Sequence, residues 1–193
     1  ICGSANGILD HVESQDVVTF TGSASTGMML KAHPRLVAES VPFNLEADSL
    51  NCCVLGLDAL PGTPEFDLFI KEVQREMTTK AGQKCTAVRR IIVPEKVVED
   101  VQIALGKRLA QTIIGDPQVE GVRMGALAGK GQLKEVAEKV MQLAKTQEIV
   151  FGDMEKFEVT GADKNKGSFM SPILFLNKDP FRFQDVHNVE AFG

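Results

Sequence analysis

The sequence predicts an α/β protein, and two patterns lead to that class. Short apolar runs bounded by glycine, proline and hydroxyl residues predict strands, and longer stretches with apolar residues at helical spacing predict helices. Both types alternate along the 193 residues, as they do in α/β proteins. Hydrophobic residues make up 44% of the chain, enough for a core, and every apolar run is far shorter than the ~20 residues of a membrane-spanning helix.

The first quarter of the chain predicts strands on either side of an interrupted helix. The expected elements are a strand at residues 17–20, a turn at 21–23, a helix over about 28–37 broken at Pro34, and strands around 41–45 and 52–57.

The best-defined helix begins near residue 63. Thr63 is suited to cap it, Pro64 suits its first turn, and Gly82 marks its end. Its predicted apolar face consists of Phe66, Phe69, Ile70, Val73 and Met77. The remaining predicted elements are a strand at 88–93, helices over 98–109 and 133–143, and strands at 148–151 and 169–176, with a polar, loop-rich stretch at 153–167.

Charge and cysteine content disfavour several classes of function. The net charge of −5 argues against a nucleic-acid-binding protein, which presents a basic face. The four cysteines, at positions 2, 52, 53 and 85, form no C-x-x-C pair, which disfavours a zinc site. We expect the adjacent Cys52 and Cys53 to be buried packing residues on opposite faces of a strand. This cysteine usage favours a reducing, cytoplasmic setting.

A glycine-containing turn follows the first predicted strand, in the run at residues 20–27. A turn between a strand and a helix can bring backbone N–H groups close to a phosphate. The run is not a Walker A loop, because Met28 and Met29 stand where lysine and a hydroxyl residue are required, and its glycine spacing differs from G-x-G-x-x-G. Spacing alone leaves open an ordinary capped helix start and a phosphate contact.

Two further residues are candidates for chemistry. Cys85 follows Lys84 in a polar loop, so it is either a nucleophile that ionises beside a cation or an inert cysteine. Glu46 ends a predicted strand and is either a solvated acid or a general base. The dispersed histidines are expected at the surface, which leaves a cysteine hydrolase without its base: His11, His33 and His187.

A series of short motifs resembles the aldehyde dehydrogenase superfamily and follows the family's order. They are F-T-G-S at 20–23, the glutamate Glu46, G-Q-x-C at 82–85, G-D-P at 115–117, M-G-A-L at 124–127, G-x-F-x-x-P at 167–172 and E-x-F-G at 190–193. Each motif alone is weak, but the ordered set is specific and spans nearly the whole chain.

This resemblance implies an aldehyde dehydrogenase-like fold and a domain division. Residues 1–47 would form the carboxyl-terminal part of a Rossmann-type NAD(P)-binding domain, and residues 48–193 part of the catalytic domain. The family's upstream asparagine and lysine are not in this sequence, so we expect a fragment that is inactive alone. A structural or oligomerisation module without catalysis is the alternative.

The resemblance also assigns roles to individual residues. It makes Cys85 the nucleophile, with its backbone N–H in an oxyanion hole, and Glu46 the general base. No metal is implied. Cofactor contacts fall to four residues: Gly22 and Ser23 at the phosphates, Glu190 at the nicotinamide ribose and Phe192 near the ring.

The run after the glutamate narrows the resemblance to one branch of the family. Most members carry a double glycine there, whereas this chain has Ala47-Asp48-Ser49 and is similar to the dehydrogenase domain of the bifunctional phenylacetate-degradation proteins. That similarity implies an enzyme that oxidises a CoA-linked semialdehyde with NADP, or else NAD. It also implies a homo-oligomer, and fusion to a hydratase-like ring-opening domain as in those proteins. A semialdehyde dehydrogenase of benzoyl-CoA degradation is the nearest alternative.

Overall fold

The structure, a computed structural model, describes residues 5–193 and divides into two compact units. The first unit ends at Ser49, and the second is Leu50–Gly193. The predicted assignment of a cofactor domain to residues 1–47 and a catalytic domain to residues 48–193 stays a prediction. Cys2 lies outside the described residues.

The first unit is built on two parallel strands. Its elements are a 3-10 turn at Ile8–His11, strand β1 (Val18–Gly22), helices α1 (Ala24–Lys31) and α2 (Pro34–Ala38), and strand β2 (Phe43–Ala47). Strand β1 pairs in parallel with β2, with Val18 opposite Phe43 and Gly22 opposite Ala47. Since parallel partners run in the same direction, the carboxyl ends of both strands meet at one edge.

The helical stretch of this unit begins earlier than predicted and is divided in two. Helix α1 starts directly after Ser23, whose side-chain oxygen accepts a hydrogen bond from the backbone N–H of Thr26. Pro34 does not interrupt a continuous helix; it opens α2 in the first turn, where its missing N–H removes no helical hydrogen bond.

The second unit contains the remaining helices and strands. They are β3 (Cys52–Val54), α3 (Pro64–Thr78), β4 (Arg90–Ile92), α4 (Val98–Leu109), α5 (Lys130–Leu143), β5 (Glu148–Phe151), β6 (Leu174–Leu176) and α6 (Asp185–Asn188), with 3-10 turns at Thr79–Gly82 and Glu95–Val97. Strand β3 pairs in parallel with β4, and β5 pairs antiparallel with β6.

Helices α3 and α4 form the first hydrophobic core of this unit. The predicted start of α3 is confirmed, because Thr63 accepts a hydrogen bond from the N–H of Phe66 and Pro64 occupies the first turn. The predicted apolar faces are also confirmed. Buried side chains from this core include Phe66, Phe69, Ile70, Val73, Val101, Leu105 and Leu109.

A second core lies between α5 and the irregular segments that flank it. It includes Val136 and Val140 of α5 together with Met124, Leu127, Phe169 and Met170. The predicted strand at residues 169–176 is therefore only partly correct, since β6 begins at Leu174. The preceding residues are buried without strand pairing, and Pro172 has no N–H to donate to a ladder.

The expectation that Cys52 and Cys53 are buried is wrong for Cys52, which is exposed, while Cys53 is half-buried against the first core. Cys52 and Val54 are the exposed residues of β3, whereas Cys53 points to the other face, and the strand has only β4 as a neighbour among the described residues. Within residues 5–193, no helix is long and apolar enough to cross a membrane.

Candidate active site

In the first unit, the register of β1 and β2 brings three of the predicted site residues to one edge. Thr21 lies opposite Glu46, so Glu46 is level with the end of β1, where Gly22 and Ser23 begin the turn into α1. Glu46 is exposed. The glycine turn and the candidate base therefore share the carboxyl edge of the parallel pair, the side on which α/β proteins place their ligands.

Asp48 connects the end of β2 to the turn after β1 through two hydrogen bonds. Its carboxylate accepts a hydrogen bond from the N–H of Ala24 at 3.0 Å, and its own N–H donates to the carbonyl of Gly22 at 3.4 Å. Asp48 has φ +51°, a left-handed conformation that aspartate tolerates better than most side chains. At the start of α1, the backbone N–H groups of Ala24 and Thr26 are thus both hydrogen-bonded to side chains, to Asp48 and to Ser23.

In the second unit, Cys85 lies on the cysteine loop, which we define as residues 79–87 between α3 and β4. Three consecutive residues at its start are left-handed: Lys80 (φ 54°), Ala81 (φ 51°) and Gly82 (φ 73°). A side chain on Gly82 would be strained at this φ and would lie 3.1 Å from the backbone of Gly193. This backbone reverses the chain sharply after α3 and leaves Cys85 exposed in the following turn.

Side-chain hydrogen bonds hold the loop in place. The amide of Asn51 donates to the carbonyl oxygens of Cys85, at 2.6 Å, and Ala87, at 3.1 Å. The side chain of Gln83 accepts from the N–H of Ala128 and donates to the carbonyl of Lys80, both at 2.8 Å. The exposed thiol is therefore carried on a backbone with several fixed contacts, which suits a positioned nucleophile.

Lys84 does not stand as an unpaired cation beside the thiol, as its position in the sequence suggested. Its ammonium group lies 2.8 Å from the carboxylate of Glu76 on α3, and both side chains are 19% exposed. The charge of Lys84 is therefore balanced by Glu76, and the pair attaches the cysteine loop to the preceding helix.

Arg89 connects the cysteine loop with segment 190–193, and sequence reasoning missed it. It donates to the carbonyl of Lys84 at 3.2 Å and lies over the ring of Phe192, 5.5 Å from its centroid. Burial lowers the pKa of the Arg89 guanidinium, and the negative charge of Glu190 opposes that shift. One signal was present in the sequence, since two adjacent arginines interrupt the apolar run predicted as strand 88–93.

The predicted site residues thus fall into two sets, one in each unit. Gly22, Ser23 and Glu46 meet at the carboxyl edge of the strand pair in the first unit. In the second unit, Arg89 links the cysteine loop, at Lys84, with Glu190 and Phe192. Within residues 5–193, no group of three or more His, Cys, Asp or Glu side chains is arranged to hold a metal ion.

The histidines take no part in either set. His11 is exposed, His33 lies 3.4 Å from the carboxylate of Asp10, and His187 is 3.1 Å from the guanidinium of Arg90.

Comparison with known proteins bears on both units. The family model described as "Aldehyde dehydrogenase family" matches residues 4–193. A 3,4-dehydroadipyl-CoA semialdehyde dehydrogenase from Aromatoleum evansii is 47% identical over 193 residues, which is 100% of this chain and 38% of that protein. The chain therefore spans well under half the length of this relative.

Solved structures of aldehyde dehydrogenases have the same fold as this chain. Betaine aldehyde dehydrogenase from Staphylococcus aureus, in complex with NAD+, superposes with a TM-score of 0.78 at 23% identity, over 92% of this chain and 34% of that one. Succinate-semialdehyde dehydrogenase from Burkholderia pseudomallei gives a TM-score of 0.78 at 21% identity, over 100% of this chain and 38% of that one. The predicted fold class is confirmed, and the chain belongs to the aldehyde dehydrogenase family.

Proposed function

We propose that this chain is part of an NAD(P)-dependent dehydrogenase that oxidises a CoA-linked semialdehyde to the acid through a thioester on Cys85. The observation that carries the proposal is the exposed thiol on a loop fixed by Asn51, in a chain that belongs to the aldehyde dehydrogenase family. The similarity to a semialdehyde dehydrogenase supports the substrate class.

Cys85 begins the reaction as the nucleophile. Its thiolate adds to the carbonyl carbon of the aldehyde, a C–S bond forms, and the carbonyl electron pair moves to oxygen. The backbone N–H of Cys85 donates a hydrogen bond to that oxyanion. The bound nicotinamide cofactor supplies the hydride acceptor, and the substrate carbon is left as a thioester on Cys85.

Glu46 completes the cycle as the general base. It takes a proton from a water molecule whose oxygen attacks the thioester carbon, and the C–S bond then breaks to release the acid and restore the Cys85 thiolate. An exposed carboxylate at the end of a strand, beside the glycine turn, is accessible for this role.

The described residues fit a nicotinamide cofactor. A Cβ at Gly22 would lie 2.6 Å from the tip of the Phe20 ring, so a side chain there would require that ring to move, and the turn without one allows close approach of phosphate to Gly22 and Ser23. Phe192 has a half-exposed ring suited to contact nicotinamide, and Glu190 has a carboxylate suited to the ribose hydroxyls. We propose NADP as the cofactor, with NAD as the alternative.

The degradation pathway to which the substrate belongs is inferred from the similarity to the Aromatoleum relative. We propose a role in aromatic degradation, with the phenylacetate route and the benzoyl-CoA route as the two choices. The name of the Aromatoleum relative, which refers to a CoA-linked semialdehyde, favours a substrate of that class. A homo-oligomer, a fused hydratase-like domain and a cytoplasmic location are further parts of this proposal, the last because free thiols persist most readily in reducing surroundings.

The test is kinetic and uses the full-length protein with CoA-linked semialdehydes and NADP+ or NAD+. Wild type is expected to form reduced cofactor and the acid in equal amounts. Cys85→Ala is expected to abolish both products, and Glu46→Gln to slow hydrolysis and leave a burst of reduced cofactor. Cys52→Ala is the matched control, because Cys52 is exposed but belongs to neither site. Equal activity of wild type and Cys85→Ala would rule out the mechanism.

A further inference from the structure

Arg89 is an unusual side chain in the second unit. Its Nε is buried and has no hydrogen-bond partner among the described residues, although a guanidinium loses much solvation free energy on burial. The role of this partly buried charge is therefore sought in the other contacts of Arg89.

The contacts of Arg89 join two segments that are far apart in sequence. One terminal nitrogen donates to the carbonyl of Lys84 on the cysteine loop. The guanidinium plane lies over the ring of Phe192, and its charge interacts favourably with Glu190. Segment 190–193 also approaches Gly82 directly, so it meets the cysteine loop at Gly82 and, through Arg89, at Lys84.

The bond to Lys84 acts on the reacting residue through a single peptide group. The carbonyl of Lys84 and the N–H of Cys85 are the two ends of that group. A cationic donor on the carbonyl polarises the amide and makes its N–H a stronger donor. Arg89 therefore fixes the orientation of this peptide and strengthens the N–H that we assign to the oxyanion.

We propose that Arg89 is a positioning residue that couples the Cys85 peptide to segment 190–193. The inference rests on the proposed function, in which that segment contacts the cofactor and the Cys85 N–H receives the oxyanion. When Phe192 and Glu190 of segment 190–193 are ordered, Arg89 holds the Cys85 peptide so that the thiol lies in its reactive orientation.

The decisive experiment is a double-mutant cycle read by thiol chemistry, which needs no turnover. Cys85 alkylation by iodoacetamide is measured by mass spectrometry in wild type, Arg89→Met, Phe192→Leu and the double variant of the full-length protein, with Cys52 as the internal reference. Arg89→Met is expected to slow Cys85 alkylation by about threefold or more. Phe192→Leu is expected to slow it when Arg89 is present but not when Arg89→Met is already in place, because residues in one network are not additive.

Controls separate positioning from general stability. Arg108→Met removes an exposed arginine from α4 and is expected to leave the Cys85 rate unchanged. Arg89→Lys keeps the charge near Glu190 but loses the planar fork, so an intermediate rate is expected; it takes the place of Arg89→Met in the cycle if that variant does not fold. A lower unfolding temperature with an unchanged Cys85 rate would assign Arg89 a purely structural role and overturn the proposal.

The same proteins distinguish this inference from the proposed reaction. If wild type fails to reduce NADP+ or NAD+ with CoA-linked semialdehydes, the reaction is wrong, whereas a non-additive cycle still establishes the coupling. If wild type turns over and the effects of Arg89→Met and Phe192→Leu simply add, the reaction stands and the coupling is refuted.

Discussion

At the scale of single residues, the ion pair of Lys84 with Glu76 decides how firmly the cysteine loop is attached to α3. Glu76→Gln leaves the ammonium of Lys84 largely buried without its counter-charge. We expect a loss of about 1–3 kcal/mol in the free energy of unfolding, the range for a buried polar group that loses its partner. Urea denaturation followed by circular dichroism measures this change.

An exposed pair on α5 supplies the control for that prediction. Lys134 and Glu138 are 3.9 Å apart, with side chains 80% and 58% exposed. Removal of Glu138 is expected to change stability by less than about 0.5 kcal/mol, since exposed pairs contribute little. Equal effects of Glu76→Gln and Glu138→Gln would show that the Lys84 pair does not hold the loop.

The three described cysteines should differ in reactivity. Cys53 is half-buried, and desolvation together with the neighbouring Cys52 raises the pKa of its thiol, an effect that a backbone hydrogen bond from Val54 partly opposes. A raised pKa lowers the thiolate fraction at neutral pH, and only the thiolate is alkylated. Cys53 is therefore expected to react most slowly at pH 7 and to gain rate as the pH rises, as measured by time-resolved alkylation and peptide mapping. Fast labelling of Cys53 at pH 7 would contradict this order.

At the scale of elements, Asp48 determines how β2 ends against α1. Asp48→Ala removes the acceptor for the Ala24 N–H and places a side chain without a polar group at φ +51°, so we expect a loss of about 1–2 kcal/mol in the stability of this edge. Hydrogen exchange of the α1 amides reports the loss locally.

Two matched variants separate the cap from the backbone strain at this position. Asp48→Asn keeps an acceptor oxygen and tolerates the left-handed backbone, so it should lose about 0.5 kcal/mol or less. Asp48→Gly relieves the strain without restoring the acceptor, so it should fall between Asn and Ala. Protection of α1 in Asp48→Ala equal to that in wild type would mean that the carboxylate does not cap the helix.

The elements that could be predicted correctly are those whose caps, turns and apolar face all lie within one continuous stretch of sequence. Helix α3 carries its cap, its proline and its apolar face within one continuous stretch, and its start and buried face follow from those residues. Strand β6 was predicted too long because burial in the second core, and not pairing, explains the apolar residues before Leu174. Local periodicity reports burial and leaves open which kind of backbone is buried.

At the scale of the whole molecule, the order of motifs along the chain predicted the family, and the family match confirms it. The contacts around the thiol were beyond prediction because they join distant parts of the sequence. Asn51, the residue before β3, donates to the carbonyl of Cys85, and the guanidinium of Arg89 lies over the ring of Phe192. No local pattern encodes such a pairing, since even the two adjacent arginines that interrupt an apolar run do not indicate which distant residue Arg89 contacts.

The core between α3 and α4 holds the helix with which the cysteine loop forms its Lys84–Glu76 ion pair, and one substitution tests that core. Leu105 is 0% exposed and lies on α4 in the first core, and Leu105→Ala is expected to lower the free energy of unfolding by about 2–5 kcal/mol, because it combines lost burial with a cavity. Ile103, two positions earlier on the same helix, is 62% exposed, so Ile103→Ala should change stability by no more than about 0.5 kcal/mol. Urea denaturation of both variants checks the difference, and similar midpoints would mean that the face of α4 that carries Leu105 does not form the core described above.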